Sequence, residues 1–134
     1  MYTLVNICGT ARSGNTMLDL ILGNSDDTFS CGEVYAWFHP YRQHHFKINC
    51  SYGNNPCQTW EKIKDEPENE FHAAIFKTLG VSFVIDSSKD LCWLIDTQTW
   101  AFANNLKSIN LVIWKDLLEL AYSYWKRGKG IFQS

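Results

Sequence analysis

Three short runs of apolar and β-branched residues constrain the fold of this chain most strongly. They are YTLVNIC (residues 2–8), VSFVI (81–85) and INLVIW (109–114), and polar residues and then a helical pattern follow each one. Near-continuous apolar runs of this length predict strands that are buried on both faces, which is typical of parallel sheets covered by helices. The sequence therefore predicts an α/β fold, in a three-layer α/β/α arrangement around a parallel sheet.

Helical patterns separate the apolar runs, and they cover residues 16–22, 68–79, 91–104 and 117–127. Gly23 and Gly128 are the expected stop signals of the first and last helices. Residues 25–30 are expected to be a polar connection. Prolines, glycines and asparagines predict a long loop or insertion over residues 39–67. With 134 residues and no visible boundary, the chain is expected to form a single domain.

Charge and cysteine usage narrow the classes of partner. The formal net charge is −2, which gives no general field for nucleic acid or for an anionic membrane, so neither is an expected partner. No apolar run approaches the roughly 18–20 residues that span a bilayer, and the first residues have no basic region typical of a signal peptide. Five scattered cysteines favour a reducing compartment and a cytoplasmic location. Cys8 and Cys92 are interpreted as buried thiols.

Polar residues cluster where each predicted strand ends. They occupy positions 12–16, 86–89 and 115–116. In parallel α/β sheets the ligand binds beyond the carboxyl ends of the strands, where these clusters would meet. The sequence thus predicts a ligand site at this edge of the sheet.

The first cluster belongs to the segment GTARSGNT (residues 9–16). Its glycines permit a turn in which backbone N–H groups and a helix N-terminus converge on an anion. Thr16 is expected to open the helix, and the guanidinium of Arg12 suits phosphate or sulfate oxygens. An ATP-binding loop of the GxxxxGK[ST] type would carry lysine where Asn15 stands. An ordinary turn with a surface arginine is the alternative.

The residues RSGNT resemble the 5′-phosphosulfate loop of sulfotransferases that use 3′-phosphoadenosine-5′-phosphosulfate (PAPS). The resemblance implies a P-loop NTPase-like fold, PAPS as co-substrate, and no metal requirement. It also implies that the nucleotide contacts the residues of this motif, which are Arg12, Ser13, Gly14, Asn15 and Thr16.

Other stretches resemble the same family in the same order along the chain. INLVIWKDLLELAYSYWKRG resembles its 3′-phosphate segment, which implies that Lys115 and Ser123 bind that phosphate. CGEVYAWF resembles the Gly-Glu segment that carries the catalytic acid, and FVIDSSKD and NCSYGNNPCQTW resemble further family stretches. Lys115 replaces the usual arginine and Leu117 the usual proline. The family continues well beyond this last helix, so the chain resembles its N-terminal half to two-thirds.

Sulfuryl transfer needs a cation at the leaving oxygen and a base for the acceptor proton. Arg12 is the candidate for the first role. Glu33 is the candidate base, because burial within an apolar stretch would disfavour the charged carboxylate and make it a stronger proton acceptor. The alternatives are an exposed carboxylate on an edge strand for Glu33, and His39, His44 or His45 as base. Ser123 is otherwise a helix-surface hydroxyl.

The stretch DSSK (residues 86–89) offers further groups. Lys89 is expected to reach a phosphate or the substrate. Asp86 is expected to order its own turn, with magnesium binding as the alternative. Ser87 and Ser88 are interpreted as caps of the next helix.

A zinc site is the remaining alternative in this chain. Cys50, Cys57, His44 and His45 are near one another in sequence, but their spacing matches no compact zinc motif, so no metal site is expected.

The expected function is PAPS-dependent transfer of a sulfuryl group to a hydroxyl or amine acceptor, or the nucleotide-binding part of such an enzyme. The acceptor stays open among glycan, peptide and small molecule. A P-loop nucleotide kinase or NTPase and a non-catalytic truncated relative are the alternatives. An exposed sheet edge would also allow homo-oligomers to form.

Overall fold

The computed structural model describes residues 1–41 and 58–131, and there the chain forms an α/β fold with one parallel sheet. In chain order the elements are β1 (Thr3–Gly9), α1 (Asn15–Leu22), β2 (Thr28–Ser30), α2 (Val34–Phe38), α3 (Gln58–Glu61), a 3-10 turn (Glu68–Glu70), α4 (Phe71–Leu79), β3 (Phe83–Asp86), α5 (Leu91–Ala103), β4 (Lys107–Ile113) and α6 (Leu117–Ile131). None of the helices described is long and apolar enough to cross a bilayer.

The sheet has the strand order β2-β3-β1-β4, and every pair is parallel. This confirms the α/β fold and the parallel sheet. The fourth strand, β2, is a correction, because residues 28–30 lie in what the sequence predicts as a polar connection. Of its three residues only Phe29 is buried, so the strand is too short to show a period in the sequence.

Apolar side chains alternate between the two faces of the sheet, because successive residues of a strand point in opposite directions. Leu4 and Val84 belong to the larger cluster, which packs with α4 and α5. Val5, Ile7 and Ile85 belong to a second cluster with Leu18 and Leu22 of α1. The sheet therefore has helices on both faces, which is compatible with the predicted three-layer arrangement.

Several predicted boundaries are wrong. Glu33 does not lie on an edge strand, since the residues after it form α2. Helix α3 lies within the long loop predicted for residues 39–67. Helix α6 passes through Gly128 and ends at Ile131, because a single glycine costs a helix only about 1 kcal/mol.

The connections that follow β1 and β3 run in opposite directions across the sheet. Helix α1 leads from β1 to β2 at the far edge, whereas α5 leads from β3 across β1 to β4. The carboxyl ends of β1 and β3 therefore flank a topological switch point. Open α/β sheets bind their ligands in the crevice at such points.

Candidate anion-binding and transfer site

The loop between β1 and α1 has an unusual backbone. Gly9, Arg12 and Gly14 have φ values of 134°, 73° and 100°. A Cβ atom at Gly9 would lie 2.5 Å from the carbonyl oxygen of Ile113, so glycine is required there on two grounds. Arg12 is not a glycine, and the left-handed region costs such a residue about 1 kcal/mol. Strain of this kind is typical of functional loops.

The loop presents backbone donors that are not used by the protein. Gly14 is the N-cap of α1, and no side chain caps that helix. Among the described residues, the N–H groups of residues 11–16 find no acceptor, and the first to do so is that of Leu18, which donates to the Gly14 carbonyl oxygen (3.1 Å). Arg12 is exposed and has no ion pair within the described parts of the chain. Such donors and a free cation are the groups that bind an anion.

Side-chain hydrogen bonds within the loop support its backbone. The hydroxyls of Thr10 and Ser13 are hydrogen-bonded (2.7 Å). Asn15 is buried, and its Nδ2 donates to the Thr10 carbonyl oxygen (3.4 Å), while its Oδ1 has no partner among the described residues. Helix α1 starts at Asn15, one residue before the predicted start at Thr16, which is exposed.

The candidate base Glu33 and the candidate substrate-binding residue Lys89 contact each other. Lys89 Nζ donates to Glu33 Oε1, and the side chains are 20% and 41% exposed, respectively. The expected burial of Glu33 is therefore wrong, because it lies at the start of α2 with its carboxylate open to water. The alternative base His39 contacts Glu68 through Nε2 (2.7 Å). His44 and His45 lie outside the described residues.

The Lys89 loop rests on a buried carboxylate, Asp86. Its Oδ1 accepts from the Ser88 backbone N–H (2.8 Å), which confirms that Asp86 orders its own turn. Its Oδ2 contacts His72 Nε2 (2.9 Å) and accepts from Trp93 Nε1 (2.8 Å). Burial alone would raise the pKa of Asp86, but the hydrogen bonds and charge of His72 outweigh it and lower that pKa. Both oxygens are therefore engaged in contacts within the protein.

A second buried carboxylate, Asp19, joins α1 to the same loop. Its Oδ1 accepts from Ser30 Oγ (2.7 Å) and its Oδ2 from Ser87 Oγ (3.3 Å). Burial raises the pKa of Asp19, although both serine hydroxyls act in the opposite direction. The interpretation of Ser87 as a helix cap is wrong.

Ser88 is also not a cap. Its Oγ accepts from the Tyr35 backbone N–H (2.9 Å), and the N-cap of α5 is Asp90, which accepts from the Trp93 backbone N–H (2.9 Å). Both serines are thus used for contacts between elements, which a local pattern in the sequence does not show.

A cavity of about 150 Å³ lies at the switch point, between the ends of β1 and β3 and the first turn of α5. Cys8, Gly9, Lys89, Leu91 and Trp93 are among its lining residues. It lies beside the Lys89–Glu33 pair and the start of the loop 9–16. A small group could therefore approach both sets of polar residues from this crevice.

The residues expected at a 3′-phosphate lie after β4. Gly9, where the anion loop begins, pairs with Ile113 of β4, and Lys115 follows Ile113 by two residues. Lys115 and Ser123 are half-buried. Tyr124 Oη donates to the Ala11 carbonyl oxygen (3.2 Å), so α6 contacts the loop.

The thiols and the metal alternative give a mixed result. Cys92 is exposed, so its interpretation as a buried thiol is wrong, whereas Cys8 is half-buried and Cys31 is buried. Within residues 1–41 and 58–131 there is no group of three or more histidine, cysteine, aspartate or glutamate side chains that could hold a metal ion. Cys50 and Cys57 lie outside the described residues.

Sequence reasoning did not assign roles to Asp19, His72 or Trp93. A signal for the first two is present, because each is the polar residue within an apolar helical run, TMLDLIL or FHAAIF. A polar group at such a position is expected to find a buried partner. The partner itself comes from a distant segment, so only the folded chain reveals it.

Comparisons with protein-family models, with curated proteins and with solved structures found no match to this chain.

Proposed function

We propose that this chain binds PAPS and transfers its sulfuryl group to a hydroxyl or amine acceptor, or forms the nucleotide-binding part of an enzyme that does. The observation that carries the proposal is the loop 9–16 at the switch point of a parallel sheet. There Arg12 is exposed, and the N–H groups of residues 11–16 have no acceptor in the part of the chain that the structure describes. The P-loop-like sulfotransferase fold is part of the same proposal.

Each group has one role in the proposed reaction. The bond between sulfur and the bridging 5′-phosphate oxygen breaks, and Arg12 stabilises the charge that collects on that oxygen. A new bond forms between sulfur and the acceptor oxygen or nitrogen, whose proton passes to the Glu33 carboxylate. Lys89, which contacts Glu33, binds a sulfuryl oxygen in this proposal once substrate separates the pair. Lys115 and Ser123 bind the 3′-phosphate.

ATP-dependent phosphoryl transfer has less support. Asn15 stands where an ATP-binding loop carries lysine, and it is buried against the loop backbone. Asp86, which ends β3, is buried and already uses both carboxylate oxygens for protein contacts, which disfavours a role as a magnesium ligand. These observations favour a ligand without a metal-bound γ-phosphate.

A phosphate-binding protein without turnover is the second candidate. The observation that favours it is the contact of the exposed Glu33 carboxylate with Lys89, since an oxygen held by Lys89 is not available to take a proton from the acceptor. In that case the nucleotide would bind, and no transfer to any acceptor would follow.

Calorimetry tests the proposal directly. We expect 3′,5′-bisphosphoadenosine to bind more tightly than ADP with magnesium. Arg12→Ala should weaken bisphosphoadenosine binding by about 10- to 100-fold, which corresponds to one or two charge-assisted hydrogen bonds. Lys62→Ala, which removes an exposed cation near α3, is the matched control and should leave binding unchanged. Tighter binding of ADP with magnesium would reject the proposal.

A further inference from the structure

Asp19 connects the two halves of the candidate site. It lies four residues after Asn15, on the same side of α1, and it is buried between that helix and the sheet. One carboxylate oxygen accepts from Ser30 of β2, and the other accepts from Ser87, which follows β3. The helix that starts at the anion loop is therefore tied by a side chain to the loop that carries Lys89.

Ser87 is connected to both members of the Lys89–Glu33 pair. It stands two residues before Lys89, and its backbone N–H donates to the carbonyl oxygen of Gly32 (2.9 Å), the residue before Glu33. A displacement of Ser87 would therefore move both partners of the Lys89–Glu33 pair. The hydrogen bond from Ser87 to Asp19 fixes this loop against α1.

We propose that Asp19 is a positioning residue that holds the anion loop 9–16 in register with the Lys89–Glu33 pair. This inference rests on the proposed function, because the register is that between a nucleotide bound at the loop and the group that it transfers. Errors of about 1 Å in such a register cost about 100-fold in rate, so a buried tether between the two halves has a direct catalytic effect.

A carboxylate suits this position because it accepts hydrogen bonds from both serine hydroxyls. An asparagine amide could keep both contacts, since its oxygen accepts from one hydroxyl and its NH₂ donates to the other. Alanine loses both. The conservative change is therefore expected to preserve the register, and the truncation is expected to destroy it.

Two serine variants separate positioning from packing. Ser87→Ala and Ser30→Ala each remove one hydroxyl from the same carboxylate, but only Ser87 leads to Lys89. The measurements are turnover of PAPS, with water as acceptor, and calorimetry with 3′,5′-bisphosphoadenosine. We expect Ser87→Ala to lower turnover at saturating PAPS by about tenfold with less than about threefold change in affinity. Ser30→Ala should retain both values, and Asp19→Asn should exceed Asp19→Ala in turnover.

Equal losses of turnover in the two serine variants would overturn the inference, because Asp19 would then act only through packing. A ligand-free measurement keeps this outcome apart from failure of the proposed function. In Ser87→Ala, the NMR amide signals of both 11–14 and 88–89 should shift, whereas Ser30→Ala should leave them in place. Shifts confined to 88–89 would also overturn the coupling, even if wild-type protein binds no bisphosphoadenosine.

Discussion

The two neighbours of β1 are supported very differently. On one side, β3 is buried beyond its first residue, and its last residue, Asp86, contacts α4, α5 and the backbone of its own turn. On the other side, β4 pairs with β1 along its whole length, yet Val112 and the following Trp114 are mostly exposed. Backbone pairing and partial packing of Leu111 and Ile113 therefore hold β4, whereas full burial and buried polar contacts hold β3. The more rigid support lies under the Lys89 loop.

The strongest way to break this difference is to remove the carboxylate of Asp86. Asp86→Ala leaves His72, the Trp93 indole N–H and the Ser88 N–H without their buried acceptor. We expect a loss of about 3–5 kcal/mol in the free energy of unfolding, as for other broken buried pairs. Denaturant unfolding measures it, and a loss below about 1 kcal/mol would show that water replaces the carboxylate.

The same truncation in the core of β1 and in α6, which follows β4, sharpens the comparison. Leu4→Ala removes a side chain with no exposure from the larger cluster and should cost about 2–5 kcal/mol. Leu118→Ala acts on α6, where 82% of the residue is exposed, and should change stability by less than about 0.5 kcal/mol. A comparable loss at Leu118 would mean that α6 is packed in solution, for example in an oligomer. Chemical denaturation with light scattering distinguishes these outcomes.

An effect smaller than that of Leu4→Ala is expected from the two buried carboxylates as pH changes. The pKa of Asp19 is raised, so its contribution to stability is present in acid and is lost as pH rises through its folded value. Asp19→Asn should therefore gain stability relative to the wild-type protein at neutral pH and nothing in acid. The pKa of Asp86 is lowered, so its contribution is present at neutral pH and is lost as pH falls. Unfolding curves of Asp19→Asn and Asp86→Ala across pH measure these contributions. The same pH dependence in both variants would contradict the prediction.

The sequence predicts the fold better than it predicts the site's support. Long apolar runs give β1, β3 and β4, because burial on both faces leaves a strong pattern. Strand β2 is too short to leave one. The burial of Glu33 is also predicted wrongly. A lone carboxylate in an apolar stretch suggests burial, but Glu33 lies at the start of α2, where its carboxylate is open to water. Its partner Lys89 is 56 positions away, a pairing that no local spacing encodes.

The close approach of Gly9 to Ile113 also sets a dimension of the molecule. Because no side chain separates them, β1 and β4 stay at their normal spacing up to the last pair before the anion loop. A methyl group there would push the strands apart and carry Lys115 away from Arg12. In the proposed function these two cations grip the two phosphates of one nucleotide. In that proposal, the absence of a Cβ atom at Gly9 sets the distance between the two phosphates that the site accepts.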